Sequence, residues 1–268
     1  MASGVGIGLI ALVVACLVIR KEAFVVLATV AVVLAVREMA VAFRARHLDV
    51  PVVPLVAGAV AIVPAAYVGG PESLFVSYAL TVAAVLLWRL TGHTSPEPGV
   101  ARVLPVADVA GAVFITTYAP FLAGFAMLML AEPDGPWRIL VFILCAVASD
   151  IGGFVAGVLF GRHPMAPSVS PKKSWEGMAG SVVLGAVTGA VAVPLALHGS
   201  WWVGALLGVA AVLSATVGDL SESLLKRDLG IKDMSNLIPE HGGIMDRLDS
   251  LLPTAPVIYL VLHLAVPT

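Results

Sequence analysis

The sequence predicts an all-α fold, that of a polytopic integral membrane protein with about nine transmembrane helices. Of its 268 residues, 60% are hydrophobic and only 12% are charged, and the mean hydropathy is +1.03. Soluble domains contain roughly 45–50% apolar and about 25% charged residues, so a water-soluble globule is excluded. The net charge of −2 creates no strong basic field, which excludes nucleic acid as a general partner.

Apolar stretches, each near the roughly 20 residues that cross the hydrocarbon core, follow one another along the chain. They cover residues 3–19, 23–43, 51–68, 74–90, 103–130, 138–160, 178–197, 201–218 and 251–266. No Lys or Arg precedes the first stretch, which is atypical of a signal peptide, so we expect a retained helix. The fifth stretch contains Pro105 and Pro120 and is either one long kinked helix or two short ones.

The distribution of Lys and Arg favours a single kinked helix there. With nine crossings, twelve of the 15 basic residues lie in loops on the N-terminal side, and only Arg20, Lys21 and Arg138 lie on the other side. A second crossing would erase this asymmetry. The bias predicts a cytoplasmic N-terminus and an external C-terminus. We expect the protein to lie in the cell (plasma) membrane. The two most polar loops, 161–177 and 218–250, are then cytoplasmic.

The loop 218–250 combines acidic and basic residues at helical spacing. These residues are Asp219, Glu222, Lys226, Arg227, Asp246 and Asp249. Clustered carboxylates repel one another unless a cation lies among them, and hard oxygen ligands without zinc-type Cys or His spacing favour Mg²⁺ shared with substrate phosphates. The glycines Gly242 and Gly243 allow a ligand to approach the backbone closely. The alternative is a loop whose charges only set the topology.

Three further polar features lie outside that loop. Asp150 is near the centre of stretch 138–160, where an aspartate costs about 2.5–3.5 kcal/mol. We interpret it as a metal or proton site facing a polar cavity, or else as a buried aspartate bonded to another helix. Glu38 is interpreted as a snorkelling or interfacial carboxylate. Lys172 and Lys173 follow a proline turn and precede a helix start, where a lysine can bind phosphate as a point charge.

Two motifs and Asp150 resemble the phosphatidate cytidylyltransferase family, the CDP-diacylglycerol synthases. The segment from Ser223 to Asp249, SLLKRDLGIKDMSNLIPEHGGIMDRLD, matches the family signature without a gap, and SPKKSWEG, from Ser170 to Gly177, is similar to a second family element. Asp150 resembles the family's intramembrane aspartate. The resemblance covers residues 138–250 and implies cytidylyl transfer from CTP to phosphatidate with Mg²⁺, at a lipid bilayer, in a homodimer. We therefore divide the chain into N-terminal transmembrane helices, 1–100, and a transmembrane catalytic region, 101–268.

The resemblance also implies roles for individual residues. The expected metal ligands are Asp150, Asp219, Asp246 and Asp249; the expected catalytic residues are Lys173, Lys226, Asp246, Arg247 and Asp249; and the expected substrate-binding residues are Ser170, Lys172, Lys173, Ser174, Ser223, Arg227, His241, Gly242 and Gly243.

Two other classes of protein are alternatives to this interpretation. A CTP-dependent polyprenol or phytol kinase would use the same loop chemistry, and a transporter would use Asp150 as its coupling site.

The charge bias makes the topology testable by cysteine labelling of intact cells. A membrane-impermeant thiol reagent should fail to label single cysteines introduced at Ser168 and Ser235, and should label one introduced near Thr268. Labelling of the Ser235 position from outside would contradict the orientation.

Overall fold

A computed structural model describes residues 2–91, 105–235 and 242–266 of the chain. These residues are almost entirely helical, which confirms the all-α class. The helices are α1 (Ala2–Ile19), α2 (Lys21–Arg44), α3 (Val52–Leu90), α4 (Pro105–Thr116), a π-helical turn (Thr117–Phe121), α5 (Leu122–Ala131), α6 (Gly135–Phe160), α7 (Trp175–Leu197), α8 (Trp201–Leu229), α9 (Met245–Leu248) and α10 (Leu251–Ala265). Two short strands, β1 (Pro164–Ala166) and β2 (Ser170–Ser174), form an antiparallel pair between α6 and α7. Arg102, one of the twelve basic residues counted on the N-terminal side, lies outside the described residues, as do His241 and Thr268.

Seven helical segments in the described part of the chain are long and apolar enough to cross a membrane. They are Lys21–Arg44, Val52–Leu90, Val106–Ala131, Gly135–Phe160, Trp175–Leu197, Trp201–Leu229 and Met245–Ala265. The predicted multi-pass class agrees with this finding, while the count of nine crossings stays a prediction.

The 39 residues of α3 contain a reversal of the chain at Gly70. This glycine has φ 69° and ψ −161°, a left-handed conformation that L side chains rarely adopt, and Pro71 follows it. Gly58 packs directly against the side chain of Thr81, which a straight helix would place several turns away. The two halves of α3 are therefore antiparallel neighbours, and the predicted stretches 51–68 and 74–90 lie on separate halves.

The predicted stretch 103–130 forms a continuous helical run from Val106 to Ala131. Its irregularity is the π-helical turn, which contains Pro120. A proline has no backbone N–H and cannot donate the usual helical hydrogen bond. The wider π-helical turn accommodates the proline within the helix. This geometry agrees with one kinked segment.

The chain divides into two compact units. The division into N-terminal helices, 1–100, and a catalytic region, 101–268, stays a prediction. The first unit comprises Met1–Ala131 and Leu229–Asp246. It extends beyond residue 100 because α4 and α5 pack against α3. A buried ion pair between Arg89 and Asp108 also stabilises this unit, and the Asp108 carboxylate accepts a hydrogen bond from the Asp49 backbone N–H at 2.8 Å.

The second unit comprises Glu132–Asp228 and Arg247–Thr268. Its helices α6, α7 and α8 approach one another at glycines: a side-chain carbon at Gly152 would collide with the backbone at Gly180, and one at Gly189 would collide with the backbone at Gly204. Small residues permit such contact between membrane helices. The Ser181 hydroxyl donates to the Ser149 carbonyl at 2.6 Å and joins α7 to α6.

Both segments predicted as polar loops, 161–177 and 218–250, contain regular secondary structure. Helix α8 does not end near residue 218, as the hydropathy pattern predicts, but continues to Leu229. Its polar extension contains good helix formers and a Glu222–Lys226 pair four residues apart, which stabilises a helix. The loop 161–177 contains the β1–β2 hairpin, and α7 begins at Trp175, where a helix start is predicted.

Candidate active site

The second unit contains a polar cavity of about 240 Å³. Helix α6, the hairpin, the start of α7 and the middle of α8 contribute its walls, and the lining includes Ser149, Asp150, Gly153, Lys172, Lys173, Ser174, Thr216 and Asp219. The close glycine contacts between α6 and α7 hold two of these walls together. The cavity therefore gathers residues of the SPKKSWEG element and the intramembrane aspartate in one place.

Asp150 lines this cavity from α6, as expected for an aspartate that faces a polar space. Its carboxyl group lies close enough to Asp219, Asp249 and Lys173 to interact with them electrostatically. Asp219 and Asp249 also interact with each other. Three carboxyl groups that the sequence analysis assigned to metal binding thus lie in one electrostatic cluster.

Lys173 links the hairpin to α8. Its ammonium group forms an ion pair with the Asp219 carboxylate, and both side chains remain partly exposed, at 26% and 37% of their surface. Lys172 lies beside it on β2 and also lines the cavity. The structure therefore brings together the two elements, SPKK and the acidic end of α8, that the sequence separates by almost fifty residues.

Glu222 lies one turn further along α8 and is fully buried. Lys226 Nζ donates to Glu222 Oε2 at 3.0 Å, and the Asp249 carboxyl group is adjacent to that of Glu222. Glu222 Oε1 has no hydrogen-bond donor among the described residues. A buried acceptor without a donor, next to a second carboxyl group, requires a proton or a cation for compensation.

The donor set fits a hard divalent cation in part. Within residues 2–91, 105–235 and 242–266, no group of three or more Asp, Glu, His or Cys side chains is arranged to hold a metal ion. Mg²⁺ is usually held by one or two carboxylates, with substrate phosphates and water as its other ligands. The adjacent carboxyl groups of Glu222 and Asp249 and the nearby Asp219 meet that smaller requirement.

The start of α7 fixes the hairpin that carries the lysines. Ser174 is the N-cap residue, and its hydroxyl oxygen accepts a hydrogen bond from the Gly177 backbone N–H at 3.1 Å. The Glu176 carboxylate accepts backbone hydrogen bonds from Arg162 and His163 at 3.1 and 3.2 Å. Ser174, predicted to bind substrate, thus has a capping role as well as a position in the cavity wall.

The predicted residue Asp246 lies in the first unit, in α9. Its carboxylate accepts backbone hydrogen bonds from Gly243 at 2.7 Å and Met234 at 3.0 Å. Gly242 adopts φ 78°, a conformation that favours glycine. The Gly243 bond closes a turn immediately before Asp246, and the Met234 bond joins Asp246 to a residue twelve positions earlier.

The remaining predicted residues have these surroundings. Arg227 and Arg247 are exposed, Ser170 and Ser223 are half-buried, and His241 lies outside the described residues with Ile238 and Pro239 of the signature.

The interpretation of Glu38 as an interfacial carboxylate is wrong. Glu38 is buried, with 7% of its surface exposed, and it accepts hydrogen bonds from Ser235 and from the backbone of Ile244 and Met245 in the signature. Its partners lie about two hundred residues away in the sequence, so no local pattern reveals them. The surroundings of Glu222, by contrast, could be found from the sequence. It lies three residues after Asp219 and four before Lys226, so all three residues share one helical face.

The helices and this cluster define a multi-pass membrane protein with a polar site suited to phosphate groups. A sequence model described as "Cytidylyltransferase family" matches residues 2–265. The chain therefore belongs to the cytidylyltransferase family. The match extends the resemblance from residues 138–250 to nearly the whole chain, including the N-terminal helices.

Individual relatives agree with this assignment. The phosphatidate cytidylyltransferase of Mycobacterium bovis is 38% identical over 270 residues, which cover 97% of this chain and 86% of that protein. The enzyme of the same name from Mycobacterium leprae is 38% identical over 271 residues, 98% of this chain and 87% of that protein. The one from Synechocystis is 42% identical over 156 residues, 54% of this chain and 51% of that protein.

The Lys173–Asp219 pair predicts that Lys173 acts in the cavity and is more than a topology signal. Lys173→Ala should lower kcat/KM for cytidylyl transfer about 10- to 100-fold, because one charge-assisted contact to phosphate is lost. Arg44→Ala, which removes the same charge from the exposed end of α2, should retain wild-type kinetics. Steady-state assays of both purified variants measure the difference, and equal losses would instead favour a purely topological role.

Proposed function

We propose that this protein transfers a cytidylyl group from CTP to phosphatidate and forms CDP-diacylglycerol and pyrophosphate. The observation that carries the proposal is the cavity in which Asp150, Lys173 and Asp219 meet. Carboxylates and lysines at a polar cavity suit a reaction in which both reacting groups are phosphates. Membership in the cytidylyltransferase family supports the same reaction.

The reaction needs positioning and charge compensation more than proton transfer. An oxygen of the lipid phosphate attacks the α-phosphorus of CTP in line, a new P–O–P bond forms, and the bond from the α-phosphorus to the bridging oxygen breaks. The bridging oxygen takes the electron pair, and pyrophosphate leaves. A phosphate monoester has a second pKa of about 6 and is therefore already a nucleophilic anion near neutral pH. The site needs no strong general base.

The lysines supply the positive charge. Lys173 and Lys172 would contact phosphate oxygens from the hairpin, and Lys226 would do so from α8, each as a point charge with three rotatable donors. Arg247 is proposed to bind a further phosphate. The cavity, at about 240 Å³, is smaller than the roughly 300–1,000 Å³ of pockets that enclose whole ligands, so it suits the phosphate portion of the substrates.

The carboxylates would hold Mg²⁺. Asp219 and Asp249 are the proposed ligands, with Asp150 beside them. The family resemblance alone adds Asp246 as a further proposed ligand. When bound, Mg²⁺ offsets the negative charge that develops on the departing pyrophosphate. Within the cluster, Lys226 stabilises Glu222 and keeps a second carboxylate next to Asp249.

The setting of the reaction is part of the proposal. We place the protein in the plasma membrane with its N-terminus and catalytic loops on the cytoplasmic side, because of the Lys and Arg bias and because CTP is a cytoplasmic nucleotide. Phosphatidate is then supplied by the lipid bilayer. The family resemblance adds a homodimer as the proposed assembly.

Isotope labelling distinguishes a cytidylyltransferase from a CTP-dependent polyprenol or phytol kinase. With purified protein, phosphatidate and Mg²⁺, label from [α-³²P]CTP should enter the lipid fraction, and label from [γ-³²P]CTP should leave in pyrophosphate. Diacylglycerol should not replace phosphatidate, because the phosphate is the nucleophile. Lipid that is labelled only from the γ position would reject the proposal and favour the kinase.

The proposed metal ligands predict a second outcome. Asp219→Asn and Asp249→Asn should each lower kcat at least about 100-fold and raise the Mg²⁺ concentration that gives half-maximal rate, because Asn keeps the shape and loses the charge. Asp228→Asn removes the same charge from an exposed position on α8 and is the matched control. A Mg²⁺ titration of the three variants gives the comparison. Near-normal rates for both Asp219 and Asp249 variants at ordinary Mg²⁺ would remove these residues from the site.

A further inference from the structure

Glu38 ties helix α2 to the signature segment. Its Oε1 accepts hydrogen bonds from the Ser235 hydroxyl at 2.6 Å and from the Ile244 backbone N–H at 3.0 Å, and its Oε2 accepts one from the Met245 backbone N–H at 2.8 Å. The side chain is 7% exposed, while the preceding Arg37 is exposed. Both carboxylate oxygens therefore bind a segment that is distant in sequence.

The chemistry of these bonds makes the contact specific. A buried carboxylate is costly unless donors compensate its charge, and three charge-assisted hydrogen bonds provide that compensation. In return, the Ile244 and Met245 N–H groups, which precede or begin α9, have no acceptor within that short helix. Acceptor and donors thus satisfy one another, and without Glu38 the buried Met245 N–H would lose this acceptor.

The second glycine of the signature gives an independent observation. A side-chain carbon at Gly243 would lie 2.9 Å from the carboxyl carbon of Glu38, with no room between them. Gly243 is also buried, and its N–H donates to Asp246 at 2.7 Å. A side chain at position 243 would therefore have to displace the Glu38 carboxylate.

We propose that Glu38 is a positioning residue for the signature, which fixes the backbone of Ile244 and Met245 and thereby the direction of Asp246. This inference rests on the proposed function, because it assigns the consequence to cytidylyl transfer. Glu38 contacts the signature turn and acts through it. Two carboxylates, Glu38 from α2 and Asp246 from within the turn, hold the same short stretch of backbone from opposite ends.

The principal test is Glu38→Gln in the full-length protein. Gln keeps the volume of the side chain but replaces one acceptor oxygen with a donor, which opposes a backbone N–H. We expect kcat per folded molecule to fall about tenfold or more, with the KM for CTP and for phosphatidate nearly unchanged. Hydrogen exchange at the Ile244 and Met245 amides should accelerate in the same variant.

Glu22→Gln is the matched control, since it makes the same change on the same helix. Glu22 accepts a hydrogen bond from the Tyr67 hydroxyl at an exposed position, so its variant should keep wild-type kcat and wild-type exchange at Ile244 and Met245. Gly243→Ala should reproduce the kcat loss of Glu38→Gln, and the two losses should be less than additive in the double variant because both disturb one contact.

Defined outcomes overturn the proposal. Wild-type kcat in folded Glu38→Gln, or unchanged amide exchange there, contradicts it. If Glu38→Gln does not fold, Glu38→Asp and Gly243→Ala are measured in the same way, and rapid exchange of the Ile244 and Met245 amides in the wild-type protein is also contradictory. Lack of cytidylyltransferase activity in the wild-type protein would reject the proposed function, while the exchange comparison would still decide whether Glu38 holds the turn.

Discussion

The compensation of buried carboxylates is the constraint on which the rest of this structure depends. A chain that is 60% hydrophobic offers acidic side chains little water, so each one inside it needs a cation or a set of N–H donors. The half-exposed Asp219 has Lys173, one oxygen of the buried Glu222 has Lys226, and the buried Glu38 has the backbone of the signature segment. The Lys173–Asp219 pair joins the hairpin to α8, Glu38 joins α2 to the signature segment, and the Glu222–Lys226 pair lies within α8. The polar residues therefore specify where the site is assembled, while the apolar residues provide the scaffold.

Close helix contact makes that assembly possible in the second unit. Helices α6 and α7, which carry two walls of the cavity, meet at Gly152 and Gly180, where a single side-chain carbon would separate them. Small residues serve in membrane helices where hydrophobic burial supplies little driving force between helices. Pocket geometry and glycine placement are thus two aspects of one packing arrangement. Ser181, which donates to the Ser149 carbonyl beside Asp150, adds a directional bond at the same interface.

Sequence reasoning predicted the class for local reasons, and it failed at the end of α8, where polarity misled it, and at Glu38, where the cause was distant. Apolar length predicted the spanning helices, and the cost of a charge in an apolar stretch singled out Asp150. The same hydropathy pattern predicted an end of the apolar stretch near Gly218, but α8 continues beyond it. Hydropathy reports the polarity of the residues and not their helix propensity. Glu38 could not be assigned, since its three donors lie about two hundred residues further along the chain and only the folded structure brings them to it.

The choice of lysine at the centre of the cluster follows from the same compensation. Lys173 and Lys226 each already bind a carboxylate, and a phosphate ligand would require them to serve two anions. An ammonium group has three donors that rotate about one bond, so it can keep the carboxylate and add a phosphate oxygen, whereas the planar fork of arginine is committed to one direction when it binds bidentately. A lysine with a carboxylate partner is therefore stable within the protein, and in the proposed reaction it would keep that partner while it binds a phosphate oxygen.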